Sequence, residues 1–200
     1  LLAIVLAGAA HIVAEVFFAE AVALFVTGGI AIGFVGYLVW RAVKKAGQLE
    51  IWGMRGDNFL PGFRAQLPFA VFGVVVLIAY GVVFDTLNWS AGFWLTLLLY
   101  PIWGTAQQFA LQNLIARNLT GLLSNPLAIA VAAAALFSVS HFPRYDLMFL
   151  TLFAGVFLTL GYRREPNLWA VGIVHGVLGS LAVYLVAEED PGGMIIGALL

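Results

Sequence analysis

The sequence predicts an all-α protein, a polytopic integral membrane helical bundle of about seven to eight transmembrane helices. Of the 200 residues, 63% are hydrophobic and only 10% are charged, and the mean hydropathy is +1.03. Soluble globular domains are about 45–50% apolar and about 25% charged, so the composition excludes that class. The apolar residues form runs long enough to cross a hydrocarbon core of about 30 Å as helices. We expect one transmembrane domain over residues 1–200.

The apolar runs differ in length and in how many polar residues interrupt them. Three of them, 21–40, 65–84 and 167–187, each cover a bilayer core at about 1.5 Å per residue. Four other runs are shorter or contain polar residues. Helices of this kind adapt to the bilayer thickness by tilting and through anchor residues at their ends. After the turn sequence EEDPGG, the run 194–200 begins an eighth helix. The four less regular spans are 1–19, 91–116, 125–142 and 147–162.

Basic residues mark one side of the predicted bundle. When the spans are threaded in order, the connection 41–64 falls on the same side as Arg117, Arg163 and Arg164. Every Lys and Arg except Arg144 then faces that side. The positive-inside rule makes it the cytoplasmic side. We expect the cytoplasmic membrane of a prokaryote, with the basic loops in the cytoplasm.

The long basic connection predicts contact with lipid. Its Trp52, Phe59 and Phe63 are expected at headgroup level as membrane anchors. Topology already explains the basic residues, so we expect membrane lipid and no nucleic acid as a partner. The chain has no cysteine, which excludes disulfides and thiolate metal sites.

Polar side chains within the spans mark the candidate site, because an unpaired polar group in lipid costs several kcal/mol and turns inward. In GTAQQFALQNLIARNL, residues 104–119, Thr105, Gln108 and Gln112 share one helical face. Gln107 leaves the helix about 100° away from Gln108. Amides in transmembrane helices commonly form interhelical hydrogen bonds, which is the simplest role for these side chains.

Two later segments place a ring or a small residue four positions from a histidine. Phe137 and His141 share one helical face, and so do His175 and Gly179. By helix length, His141 lies about 24 Å and His175 about 12 Å from the basic end. Their convergence therefore requires tilt, a different helix boundary or a break near Pro143.

Small residues surround the second histidine. Gly172, Gly176 and Ser180 follow the small-xxx-small spacing that lets another helix approach closely. In the first span, His11 and Glu15 are also four residues apart, and we expect a buried hydrogen-bonded pair there. A ligand or proton-relay role is the alternative for that pair.

The segments YPIWGTAQQFALQNLI, LFSVSHF and AGVFLTLGYRREPNLWAVGIVHGVLGSL occur in an order that resembles the CAAX protease and bacteriocin-processing family, also known as abortive-infection proteins. The resemblance covers about residues 51–186. That family carries an E-E-x-x-x-R motif, then F-x-x-x-H, then a histidine followed four residues later by asparagine. Its active members are intramembrane endopeptidases, in which glutamate and histidine activate water and histidine and asparagine stabilise the oxyanion. The resemblance implies a CAAX protease-like fold.

The motifs are only partly preserved in this sequence. Phe137 and His141 match F-x-x-x-H, and His175 matches the histidine of the third motif. Uncharged residues replace the paired glutamates, the arginine and the asparagine. Because the carboxylates that the arginine would neutralise are gone, we interpret this as one concerted change. The replaced positions are, in the same order, Gln107, Gln108, Gln112 and Gly179.

The replacements predict a pseudoprotease. A general base contributes about 10² to 10⁴ in rate, and an amide does not accept a proton near neutral pH. A missing oxyanion donor costs about another 10² to 10³. We therefore expect a catalytically degenerate family member that acts as a binding or scaffold subunit in a membrane complex. Its former active-site cavity is either packed shut or filled by a lipid tail or hydrophobic peptide.

Two alternatives stay open. In the first, the protein is an active intramembrane endopeptidase in which Glu15 or a water network replaces the base. In the second, it is a cofactor-binding membrane subunit whose histidine ligates the metal of a haem or chlorophyll-type pigment. Zinc is a further hypothesis, since His141 and His175 with Glu15 or His11 would supply three ligands.

Overall fold

The structure, a computed structural model, describes residues 6, 9, 10, 13 and 20–199. The predicted first span, 1–19, lies almost wholly outside these residues, and so do His11 and Glu15. Every regular element in the described part of the chain is helical. Three of its helices are long and apolar enough to cross a membrane by length and composition. The predicted helical membrane bundle is confirmed.

Every predicted span from 21–40 onward coincides with a helix. The last predicted helix begins before 194–200, because Pro191 fits the first turn of a helix. The fourth helix continues directly into a π-helical segment and a last α-turn. The elements are α1 (Glu20–Lys44), α2 (Gln48–Ile51), α3 (Phe59–Val83), α4 (Ala91–Phe109), the π-helical segment (Ala110–Ala116), α5 (Arg117–Leu119), α6 (Pro126–Val139), α7 (Tyr145–Arg164), α8 (Leu168–Leu185) and α9 (Pro191–Leu199).

Side-chain caps start three of the helices that build the site. The Ser90 hydroxyl accepts a hydrogen bond from the backbone N–H of Phe93 at the start of α4, over 3.2 Å. The Asn125 side chain accepts from two backbone N–H groups of α6, and Asn167 accepts from one of α8. Such caps satisfy N–H groups that have no partner within the helix. They fix where α4, α6 and α8 begin.

Helix α8 lies at the centre of the bundle. In its most apolar stretch 72% of the residues are buried, against 17% in α3 and 28% in α7. Its buried apolar side chains form one core with those of α3, α4 and α7. A polar side chain on α8 is therefore surrounded by protein, which makes His175 a central residue.

The backbones of α4 and α8 come into direct contact at glycines. A Cβ atom on Gly104 would lie 2.8 Å from the Gly172 carbonyl oxygen and 2.9 Å from the Gly176 nitrogen. A Cβ atom on Gly176 would lie 2.6 Å from the Pro101 nitrogen. The predicted close approach at the small residues of α8 is thus confirmed. It places the glutamines of α4 beside His175.

Polar contacts join connecting segments at two places that the charge pattern assigned to opposite sides of the membrane. At the basic end, the Arg117 guanidinium donates to the Ile51 carbonyl over 3.1 Å. At the other end, Arg144 forms an ion pair with Asp146 at 2.8 Å and a second one with Glu189. That the basic end faces the cytoplasm stays a prediction.

Trp52 is buried in protein and does not face lipid as the sequence suggested. Its side chain is 8% exposed, and its ring packs edge-on against Phe109 with centroids 5.1 Å apart. Its carbonyl accepts hydrogen bonds from the Asn113 amide at 3.1 Å and the Tyr162 hydroxyl at 3.0 Å. The anchor prediction for Trp52 is wrong, because these bonds hold the connection inside the end of the bundle.

Candidate functional site

Two glutamines of α4 contact one histidine of α8. The Gln108 Nε2 atom lies 2.9 Å from His175 Nδ1, and the Gln107 Oε1 atom lies 2.9 Å from His175 Nε2. The two side chains leave α4 in different directions. They nevertheless meet the same imidazole, because its two nitrogens point to different sides of the ring.

The hydrogen bonds assign one tautomer to His175. The amide NH₂ of Gln108 can only donate, so Nδ1 accepts. The amide oxygen of Gln107 can only accept, so Nε2 carries the proton and donates it. The imidazole is therefore neutral, and both of its nitrogens are occupied.

Gln112 extends the network from the π-helical segment to α7. Its Nε2 donates to Gln108 Oε1 at 2.9 Å and to the Thr159 hydroxyl at 3.2 Å. The wide turn is visible in the backbone, where the Arg117 N–H bonds the Gln112 carbonyl five residues earlier. Such π-helical turns occur mostly as short segments and frequently at functional sites. We call the hydrogen-bonded group Gln107, Gln108, Gln112, Thr159 and His175 the amide network.

The amide network is closed to its surroundings over most of its length. Gln108 is 0% exposed, Gln112 2% and His175 8%. One buried atom, Gln112 Oε1, has no hydrogen-bond partner. This packing leaves little access to the histidine.

Phe137 connects the two histidines by ring contacts. Its centroid lies 5.1 Å from that of His141 and 6.2 Å from that of His175. Helix α6 ends at Val139, so His141 lies in the following turn, where its Nδ1 donates to the Phe137 carbonyl over 3.2 Å. The predicted span 125–142 is too long at this end, because Pro143 disfavours helical geometry in the residue before it. His141 has no hydrogen bond to the amide network.

The family comparison matches the part of the chain that holds this site. The family model described as "Type II CAAX prenyl endopeptidase Rce1-like" matches residues 88–181. Residues 88–181 form an Rce1-like domain. The match confirms the resemblance to the CAAX protease and bacteriocin-processing family. Neither the curated proteins nor the solved structures compared with the chain gave a match.

The Rce1-like domain includes every motif position predicted from the sequence, from Gln107 to Gly179. The structure brings Gln107, Gln108, Gln112 and His175 into hydrogen-bond contact, and it adds Phe137 and His141 through their rings.

Gly179 lies one turn beyond His175, against an aromatic ring. A Cβ atom on Gly179 would lie 2.5 Å from Cε1 of Tyr100. The Tyr100 ring therefore fills the space that a side chain at this position needs.

The family residue should not fit at this position. We expect Gly179→Asn to lower the free energy of unfolding by about 2 kcal/mol, since overpacking of a core costs about 1–3 kcal/mol. Adding Tyr100→Ala should recover part of this loss, with a favourable coupling of about 1–2 kcal/mol in a double-mutant cycle. Reversible unfolding in mixed micelles would measure all three variants. Additive losses would show that Tyr100 does not occupy the space.

The amide network does not suit a divalent cation. It contains no carboxylate, and both nitrogens of its histidine are hydrogen-bonded. Within the part of the chain that the structure describes, no three His, Cys, Asp or Glu side chains gather as a metal site requires. The zinc hypothesis that uses His11 or Glu15 falls outside the described residues. The proposed pigment ligand stays a prediction.

Sequence reasoning missed one member of the network. Thr159, on α7, lies in an otherwise apolar stretch and is 0% exposed. A lone threonine there was the only signal of its role. Thr105 shares the face of Gln108, but its hydroxyl donates to the Pro101 carbonyl over 2.8 Å and has no bond to the network.

Proposed function

We propose that the protein is a catalytically degenerate relative of the CAAX proteases that acts as a binding or scaffold subunit in a membrane complex. One observation carries the proposal. The residues at the paired-glutamate positions, Gln107 and Gln108, hold both nitrogens of His175 in hydrogen bonds. An imidazole held in this way has no free lone pair with which to activate water.

The remaining groups of the network do not replace the missing base. Amides and hydroxyls do not accept a proton near neutral pH, so a contribution of about 10² to 10⁴ in rate is absent. At Gly179 the Tyr100 ring occupies the place of an oxyanion donor, which is worth about another 10² to 10³. The network instead ties α4, the π-helical segment, α7 and α8 together. This is a structural role.

A partner surface is available on α4. Trp94, Leu98 and Ile102 follow one another at intervals of four residues and are all more than half exposed. Residues spaced in this way form one helical face. Lipid tails, a hydrophobic peptide or a helix of another membrane subunit would cover such a face.

The family match favours a second candidate, an active endopeptidase. Protein reconstituted in liposomes with a peptide carrying a prenylated CAAX end would separate the two. We expect no more cleavage than with His175→Ala, while an active protease of the family cleaves in the same liposomes. Gly36→Ala is the matched control, because a Cβ atom there meets no atom within 4 Å.

Cleavage by the natural chain and by Gly36→Ala, but not by His175→Ala, would overturn the pseudoprotease proposal. Because His175 is buried, thermal unfolding of each variant must accompany the assay. If His175→Ala does not fold, His175→Gln replaces it, because glutamine removes the imidazole and keeps a hydrogen-bonding side chain between Gln107 and Gln108.

A further inference from the structure

A pocket of about 320 Å³ opens at the basic end of the bundle, apart from the amide network. It lies between the end of α1, α2 and the π-helical segment. Tyr37, Trp52 and Leu114 contribute apolar or aromatic wall. The pocket wall is therefore partly apolar. The rest of the wall is polar and includes positively charged side chains.

Three cations line this pocket, namely Arg41, Lys45 and Arg117. None of them forms an ion pair with another described residue. Glu50, the acidic residue of α2, is not part of the lining. Three like charges around one cavity repel each other, so an anion in the cavity would relieve that repulsion.

Buried polar groups complete the site. The Nε atom of Arg41 is buried and has no hydrogen-bond partner among the described residues. Gln48 is 3% exposed, and its Oε1 accepts from Arg41 Nη2 at 3.4 Å, which orients the guanidinium. A buried donor without a partner costs about 1–3 kcal/mol. Arg41 therefore points to a ligand with acceptor oxygens.

We propose that this pocket binds the phosphodiester headgroup of an anionic phospholipid. Basic pockets between membrane helices bind such headgroups, and guanidinium groups match the oxygens of phosphate. Helix α1 carries exposed large apolar side chains next to the pocket, among them Val35, Val39 and Trp40. Acyl chains of the same lipid would lie along this face, which favours a lipid over a free anion. This site does not depend on whether the protein cleaves peptides.

The two adjacent lysines provide a matched pair for the test. Both lysines are exposed. Lys45 lines the pocket and its side chain forms no hydrogen bond with a described residue, whereas Lys44 does not line the pocket. Purified protein in neutral detergent would be titrated with phosphatidylglycerol, phosphatidylcholine or inorganic phosphate. Thermal unfolding and native mass spectrometry would report binding.

Phosphatidylglycerol should raise the unfolding temperature in a saturable way, and phosphatidylcholine should not. Lys45→Gln should weaken the apparent affinity for phosphatidylglycerol about fivefold, the effect of one cation near a lipid surface, and Arg41→Gln at least as much. Lys44→Gln should leave it unchanged. Equal stabilisation by both lipids, or an equal loss with Lys44→Gln, would overturn the proposal. Equal stabilisation by inorganic phosphate would overturn the lipid assignment in favour of a free anion.

Discussion

Gly176→Ala is expected to lower the free energy of unfolding by about 3 kcal/mol, the upper end of the range for overpacked cores. The added Cβ atom would lie 2.5 Å from the Pro101 Cα and 2.6 Å from the Pro101 nitrogen. These are backbone atoms of α4, so relief requires the two helices to separate. Separation would also stretch the hydrogen bonds from Gln107 and Gln108 to His175. Reversible unfolding in mixed micelles would measure the loss.

The same substitution at Gly36 is the control for this experiment. A Cβ atom on Gly36 meets no atom within 4 Å, although the residue also lies inside a helix. Gly36→Ala should be neutral, or stabilising by up to about 1 kcal/mol through helix propensity. If the two variants unfold alike, α4 and α8 do not approach each other as closely as the structure shows.

Gln108→Leu is expected to cost about 3 kcal/mol. Leucine fills nearly the same volume, but His175 Nδ1 loses its donor and Gln112 Nε2 loses its acceptor Gln108 Oε1. The unpaired imidazole nitrogen costs about 1–3 kcal/mol, and one N–H of the Gln112 amide also loses its acceptor while the other keeps Thr159. Chemical denaturation in mixed micelles would give the free energy. Gln107→Leu should cost only about 1 kcal/mol, because Gln107 is half-buried and makes one of these bonds.

A double-mutant cycle with His175→Phe would show whether the loss comes from the hydrogen bond. When both partners are replaced by apolar groups, no unpaired imidazole nitrogen is left behind. The double variant should therefore be more stable than the sum of the two single losses predicts, by about 1–2 kcal/mol. Strict additivity would mean that Gln108 and His175 do not interact.

Composition and local patterns were enough to predict most of the framework. Apolar runs predict the helices because each run has to span the bilayer as a hydrogen-bonded segment. The glycine spacing around His175 predicts a close helix contact, which the structure shows at Gly104 and Gly172. Motif order alone predicts that Gln108 and His175 belong to one site, and they lie in hydrogen-bond contact.

Other features depend on three-dimensional contacts that no local pattern contains. The π-helical segment, ALQNLIA, contains no glycine or proline that would mark a wide turn in the sequence. Thr159 becomes part of the network only because α7 passes beside that turn. Trp52 resembles a membrane anchor in the sequence, whereas in the structure its ring packs against Phe109 and its carbonyl accepts two hydrogen bonds. The orientation of such contacts is set by tertiary packing.

The neutral His175 between two amides has a further consequence for a protein in an energised membrane. A transmembrane voltage does work of about 2.3 kcal/mol on each elementary charge that it moves across the bilayer per 100 mV. The side chains of Gln107, Gln108, Gln112, Thr159 and His175 carry only dipoles. The electric field therefore has no net charge to displace there, and this arrangement of helices should persist whether the membrane is polarised or not.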